Sequence, residues 1–170
     1  MLKNFYPDYA IASAYDIPYE ALYERGIRAL IFDIDNTLTE HGKPATERAI
    51  ALMDRLKKIG FRVCLLSNNK ESRVKMFNEN IQVDYIFKAG KPGRSGYERA
   101  METMGSTREN TVFVGDQLFT DVWGAKRIGL EAWLVEPIDK HEEIQIVLKR
   151  YLEKPILYFY RKEKKQNENR

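Results

Sequence analysis

Cysteine is nearly absent: Cys64 is the only one in 170 residues. One thiol cannot close an internal disulfide, and by itself it cannot make a thiolate zinc site. A reducing, cytoplasmic setting is therefore expected. Cys64 lies in the apolar run 61–66, where a small buried strand residue is the plain expectation. Long apolar stretches are missing too. None reaches 18 residues, so nothing reads as a transmembrane helix. Residues 1–7 carry no apolar core followed by a small-residue cleavage site, which argues against a secretory signal. Histidine is scarce, and His41 and His141 have no partners at metal-ligand spacing. Both are expected at the surface. Zinc-finger spacings and Gly-aromatic RNA-binding signatures do not occur.

The formal net charge is +3, but it is unevenly placed. Residues 149–170 hold eight Lys or Arg against three Glu, a net +5, which leaves −2 for the rest. The basic character belongs to the tail, and no nucleic-acid partner is expected.

Against these absences stands a regular alternation of short β-type runs with amphipathic helical runs, the signal for a parallel α/β sheet. Strands are predicted at 27–32, 61–66, 84–87, 111–114 and 132–135. Helices are predicted at 46–59, closed by Gly60, and at 70–80, 94–104, 119–128 and 139–152. The spacing predicts a three-layer, Rossmann-like α/β fold: an open parallel sheet of about five strands with helices on both faces. Three parts are expected. Residues 1–26 form an aromatic segment packing on the core, 27–153 the main domain, and 154–170 a basic aromatic tail, partly disordered after Pro155. Ligands of such sheets bind beyond the carboxyl ends of the strands, at the topological switch point. Polar groups fall there repeatedly: Asp33 and Asp35 after the first strand, Ser67 after the second, Lys91 after the third, Asp116 after the fourth.

Two carboxylates at i and i+2, Asp33 and Asp35, project to the same side of an extended chain. Two bare anions so close repel, and a hard divalent cation such as Mg²⁺ relieves the conflict. One carboxylate can then attack phosphorus while the other protonates the leaving oxygen. A solvated Asp-rich turn or an adventitious cation site has the same spelling. Ser67-Asn68-Asn69 suits a phosphate oxygen, and equally a turn and helix cap. Lys91, fixed before Pro92, can neutralise phosphoryl oxygens, or it can be a surface lysine. The run from Gly115 to Asp121 offers more oxygens for a cation, or a helix cap. Together, acid pair, hydroxyl, lysine and acid appear in order, each after a strand, and phosphoryl transfer needs mainly positioning and charge neutralisation.

Taken jointly, Asp33-x-Asp35-x-Thr37, Ser67, Lys91 and Gly115-Asp116-x-x-x-Thr120-Asp121 resemble the four signature motifs of the haloacid dehalogenase superfamily, over about 27–137. The subgroup resembled is the subclass IIIA, YqeG-type phosphatases, which are similar to the phosphatidylglycerophosphate phosphatases of bacteria and mitochondria. The resemblance implies Asp33 as nucleophile and Asp35 as general acid/base. It implies Ser67, Asn68, Lys91 and Thr37 around the phosphoryl group. It places Mg²⁺ on Asp33, on Asp35 through its backbone carbonyl, and on Asp116, with Asp121 auxiliary. Only eight residues lie between Thr37 and Thr46, and 23 between Ser67 and Lys91, so no large cap domain is expected.

A phosphomonoester substrate follows from the resemblance, with phosphatidylglycerophosphate favoured. A soluble metabolite, a phosphoprotein or a nucleic-acid end stays open as substrate, as does a metal-binding docking module without turnover. The tail, with Tyr158, Phe159 and Tyr160 between cations, suggests peripheral contact with the inner face of the cell membrane. Packing of those aromatics on the domain is the alternative. The N-terminal aromatics, Phe5 to Tyr23, are expected to pack on the sheet or to border the substrate entrance.

Overall fold

The computed structural model describes residues 2–139 and 144–168. Six strands form one sheet: β1 (Tyr9–Ile11), β2 (Ala29–Phe32), β3 (Arg62–Leu66), β4 (Asp84–Ile86), β5 (Thr111–Gly115) and β6 (Glu131–Val135). Their order is β1-β6-β5-β2-β3-β4, and every neighbouring pair is parallel. The helices are α1 (Tyr19–Glu24), α2 (Glu47–Ile59), α3 (Glu71–Asn78), α4 (Arg94–Met104), α5 (Trp123–Lys126) and α6 (Ile144–Glu168).

Strands buried on both faces read as unbroken apolar runs, and β2 and β5 are buried along their whole length. Their alternate side chains feed two cores. Leu30, Phe32, Val112 and Val114 face α1, α2 and α3. Ala29, Ile31 and Phe113, joined by Cys64 of β3, face α4, α5 and α6. Local chemistry sets the helix limits. The Thr46 side chain accepts from Ala49 N at 3.2 Å to start α2, and Gly60, at φ 112°, ends it in a left-handed conformation that a side chain would disfavour.

The chain runs from β2 outward to β3 and β4, then returns to β5 on the opposite side of β2. The switch point therefore lies between β2 and β5, which puts the ends of these two strands at the site. No inserted domain occupies the β2–α2 or the β3–β4 connection, as the short spacings predict.

Three expectations need correction. The sheet has a sixth strand, β1, pairing with β6 at the edge. It is only three residues long, too short to show a period. The helix predicted at 119–128 is a π-turn at Leu118–Val122 followed by the short α5. The last helix does not stop near 152 but continues to Glu168 with Pro155 inside it. An internal proline costs one backbone hydrogen bond and a clash. Here Glu153, Ile156 and Tyr160 are buried on the inner side, and their packing holds the helix across it. The expected start of that helix overlaps 140–143, and that stretch, His141 included, lies outside the described residues.

Cys64 is fully buried in β3, and burial, with the Asp84 carboxylate adding to it, pushes its thiol up to about 12. The thiolate is the reactive form. Native protein at pH 8 is expected to resist iodoacetamide, and urea-unfolded protein to take one label, as read by intact mass. Rapid labelling of the native state would contradict this placement.

Candidate active site

Asp33 follows β2 directly, and its amide donates to Val114 O at 2.9 Å, which ties the loop after β2 to β5. The next residues turn sharply. Asn36 takes φ 64°, a conformation asparagine tolerates better than most residues, and its amide donates to Thr39 O at 2.7 Å. The N-terminal segment braces this loop from behind, with the Tyr15 hydroxyl donating to Leu38 O at 2.5 Å.

The centre of the site is the Lys91 ammonium. It donates to Asp33 Oδ1 at 2.6 Å and to Asp121 Oδ1 at 2.7 Å, and all three side chains are buried. Asn68 fixes the Lys91 backbone from both sides: its Oδ1 accepts from Lys91 N at 2.8 Å and its Nδ2 donates to Lys91 O at 3.0 Å. Asp121 is held in turn by Gln117 N, which donates to Oδ2 at 3.0 Å. The Tyr97 hydroxyl donates to the Asp121 carbonyl at 3.1 Å. Thr37 Oγ1 donates to Asp116 Oδ1 at 3.3 Å. Arg150, from α6, donates to both the carboxylate and the carbonyl of Asp116. Ser67 is buried at the end of β3, and its Oγ accepts from Asn69 N at 3.1 Å.

Asp35 sits apart from this cluster. Its Oδ1 accepts from Arg73 Nη2 and from Gly42 N, both at 2.8 Å, and its Oδ2 accepts from Asn69 Nδ2 at 2.8 Å. The acids brought together are instead Asp33, Asp116 and Asp121, whose nearest ligand atoms all lie within 4.8 Å of one another. Octahedral oxygen ligands around an ion at 2.0–2.1 Å stand about 3 to 4 Å apart. Small side-chain adjustments would therefore let the three share one cation.

Electrostatics point the same way. Burial raises the Asp33 carboxyl to about 7. The Lys91 ammonium opposes that rise and Asp121 adds to it. Burial raises Asp116 well above the usual range, with Asp121 and Asp33 adding to the effect and Arg150 opposing it. Burial alone would lower the Lys91 ammonium, but Asp121 and Asp33 outweigh it and hold it above its ordinary value. Three buried carboxylates thus share two cationic side chains, and the excess negative charge, carried entirely on oxygen, suits a hard divalent ion. The triad can hold a metal.

Sequence reasoning reached Asp33, Asp35, Thr37, Ser67, Asn68, Lys91, Asp116 and Asp121. It reached Asn69 only as part of the Ser67-Asn68-Asn69 turn and not as a partner of Asp35, and it missed Arg73 on Asp35, Tyr97 behind Asp121, and the α6 pair Arg150 and Glu153. Glu153 is buried; its Oε1 accepts from Leu118 N at 2.8 Å and its Oε2 from Arg150 Nη1 at 3.3 Å. In sequence, Arg150 looks like one more charge of a basic tail. The available signal was Glu153, an acid three residues later on the same helix.

A parallel α/β sheet with a carboxylate–ammonium cluster at its switch point is the frame of a metal-assisted hydrolase. Residues 88–143 match the family described as HAD-hydrolase-like. The chain is 39% identical to the probable phosphatase YqeG of Bacillus subtilis over 159 residues, 92% of each chain. It is 27% identical over 164 residues to the phosphatidylglycerophosphate phosphatase 1, chloroplastic/mitochondrial, of Arabidopsis thaliana, covering 81% of this chain and 45% of that one. A haloacid dehalogenase-like hydrolase from Streptococcus pneumoniae shares the fold with a TM-score of 0.52 at 13% identity, over 65% of this chain and 85% of the other. The chain therefore belongs to the haloacid dehalogenase superfamily and, within it, to the YqeG phosphatase family. Its activity is that of a phosphatase, which implies a phosphomonoester substrate.

A Cβ on Gly115 would lie 2.6 Å from Asp121 Oδ2 and 2.7 Å from its Cβ and Cγ. Gly115→Ala must displace Asp121 from Lys91. Misplacing a reacting group by about 1 Å can cost about 10²-fold, and a loss of that order in kcat/KM on a phosphomonoester is expected, with the circular dichroism spectrum unchanged. Glu153→Ala leaves Leu118 N without its acceptor, at about 1–3 kcal/mol. Glu153→Gln keeps an acceptor oxygen and should cost less, as urea denaturation would show.

Proposed function

We infer that the chain is a Mg²⁺-dependent phosphomonoesterase working through an aspartyl-phosphate, and that phosphatidylglycerophosphate is its substrate. The observation that carries the chemistry is the buried Asp33–Lys91–Asp121 contact with Asp116 beside it. An Asp33 carboxylate oxygen attacks phosphorus, the bond to the leaving alcohol breaks, and Asp35 gives its proton to the departing oxygen. A water then attacks the phosphorus of the acyl phosphate and passes its proton to Asp35, and the bond to Asp33 breaks, releasing inorganic phosphate. To take this part, Asp35 turns away from Arg73 and Asn69. Lys91 Nζ, Ser67 Oγ and Thr37 Oγ1 face the phosphoryl oxygens, and Asn68 acts by fixing Lys91. Mg²⁺, held by Asp33, the Asp35 carbonyl and Asp116 with Asp121 behind them, would neutralise charge on the transferring group.

Three observations support the lipid part. The Arabidopsis relative is named for that substrate. No inserted domain closes over the site, so a large or surface-bound phosphate is not excluded by enclosure. A cavity of about 460 Å³ opens beside the loop that carries Leu38 and Thr39. Tyr15, Pro44 and Ile138 give it apolar walls, and two cations, Lys43 and Arg48, line it with one acid, Glu40. That lining fits a leaving group with both an apolar part and a second anion.

Asp33→Asn is expected to abolish phosphate release while the melting profile stays cooperative, and EDTA to abolish it reversibly, with activity restored by Mg²⁺. Near-wild-type turnover by the variant would remove Asp33 as nucleophile. In a panel of lipid and soluble phosphomonoesters, phosphatidylglycerophosphate should give the highest kcat/KM. Preference for a soluble ester would discard the lipid assignment and keep the chemistry.

A further inference from the structure

We propose that the outward face of α6 docks on an anionic lipid bilayer. Among the described residues, five of the eight exposed large hydrophobic residues lie on this helix: Leu148 (66%), Tyr151 (61%), Leu152 (60%), Tyr158 (63%) and Phe159 (48%). Their spacing, i, i+3, i+4, i+10 and i+11, puts them on one side of a helix, with exposed Pro155 between them. Glu153, Ile156 and Tyr160 occupy the opposite, buried side. The outward stripe is thus apolar without covering any core.

Charge selects the occupant. Lys149, Lys154, Arg161, Lys162, Lys164 and Lys165 are all exposed. Of the acids on this helix before its last residue, Glu168, Glu153 is buried and Glu163 pairs with Lys3 at 2.5 Å. A protein partner would be expected to meet mixed charge at the rim. A bare apolar stripe with aromatic rings, flanked by cations, matches instead the boundary between acyl chains and anionic headgroups. No helix among the described residues is long and apolar enough to cross a membrane, so the contact is one of lying on the surface. The inward face of the same helix carries Arg150 and Glu153 to Asp116 and Leu118. A bilayer on the outer face would therefore sit one helix away from the catalytic loop. The proposal does not depend on the substrate being a lipid, because the face would hold the chain at a membrane whatever ester it hydrolyses.

The test is co-sedimentation of the full chain with vesicles free of any phosphomonoester lipid. One set is phosphatidylcholine alone, and the other contains about 30 mol% phosphatidylglycerol. Binding to the anionic set only is expected, weakened at least about 10-fold as salt rises from about 0.05 to about 0.5 M. Two variants probe the face separately: Leu152→Glu with Phe159→Glu, and Lys154→Glu with Arg161→Glu and Lys162→Glu. Each should lower binding at least about 10-fold, with melting temperature and hydrolysis of p-nitrophenyl phosphate unchanged. Absence of binding to anionic vesicles, equal binding to both sets, or variants that bind like the wild type would each overturn the proposal. So would a dimer in light scattering that the variants dissolve, since the face would then belong to a second copy. None of these outcomes bears on the lipid-substrate reading, because the vesicles carry no phosphomonoester.

Discussion

One ammonium group holds the active site together. Lys91 lies between Asp33 and Asp121, buried, with its charge balanced by the carboxylates it touches. Removing one member of such a buried cluster leaves an uncompensated charge, so each element around it acts to fix its position. Asn68 holds the lysine backbone, Gln117 N and the Tyr97 hydroxyl hold Asp121, and Gly115 leaves the space in which Asp121 lies. The acids converge at the switch point because β2 and β5 are neighbours that the chain reaches by separate routes.

Much of this was legible in the sequence, for reasons that can be given residue by residue. The strands β2, β3 and β5 are buried almost throughout and so read as apolar runs, each followed directly by a polar residue, and Lys91 follows the short edge strand β4 before a proline. Asp33, Ser67, Lys91 and Asp116 stood out on that ground. What escaped had no periodic signal. Tyr9–Ile11 is too short to alternate, and Leu118–Val122 winds as a π-turn that no helical period describes. The orientation of Asp35 was also hidden. The i, i+2 spacing places two carboxylates on one side of an extended chain, but the turn at Asn36 and the guanidinium of Arg73 lead the second away.

The largest departure from expectation is at α6. Proline, basic residues and a polar end all suggested a loose tail, yet the helix runs through Pro155 to Glu168. The reason is tertiary. Glu153, Ile156 and Tyr160 pack inward, and Glu153 satisfies a backbone amide at the start of the Leu118–Val122 turn. Composition described the outer side of this helix correctly and concealed the inner one, because burial on one side of an isolated terminal helix depends on a surface distant in sequence.

The position of β2 in the sheet has a further consequence. It lies third from the β4 edge and fourth from the β1 edge of a six-strand sheet, with both faces covered and hydrogen-bonded strands on both sides. The Asp33 amide is bonded to Val114 O directly beyond it. Backbone at such a location opens only when the whole domain does. Asp33 is therefore anchored in the last part of the molecule to come undone on heating, and the turn bearing Asp35 is held against it by the Asn36 N bond to Thr39 O and the Tyr15 hydroxyl bond to Leu38 O. In the proposed reaction, a carboxylate so placed would take up and give back a phosphoryl group while its frame stays closed.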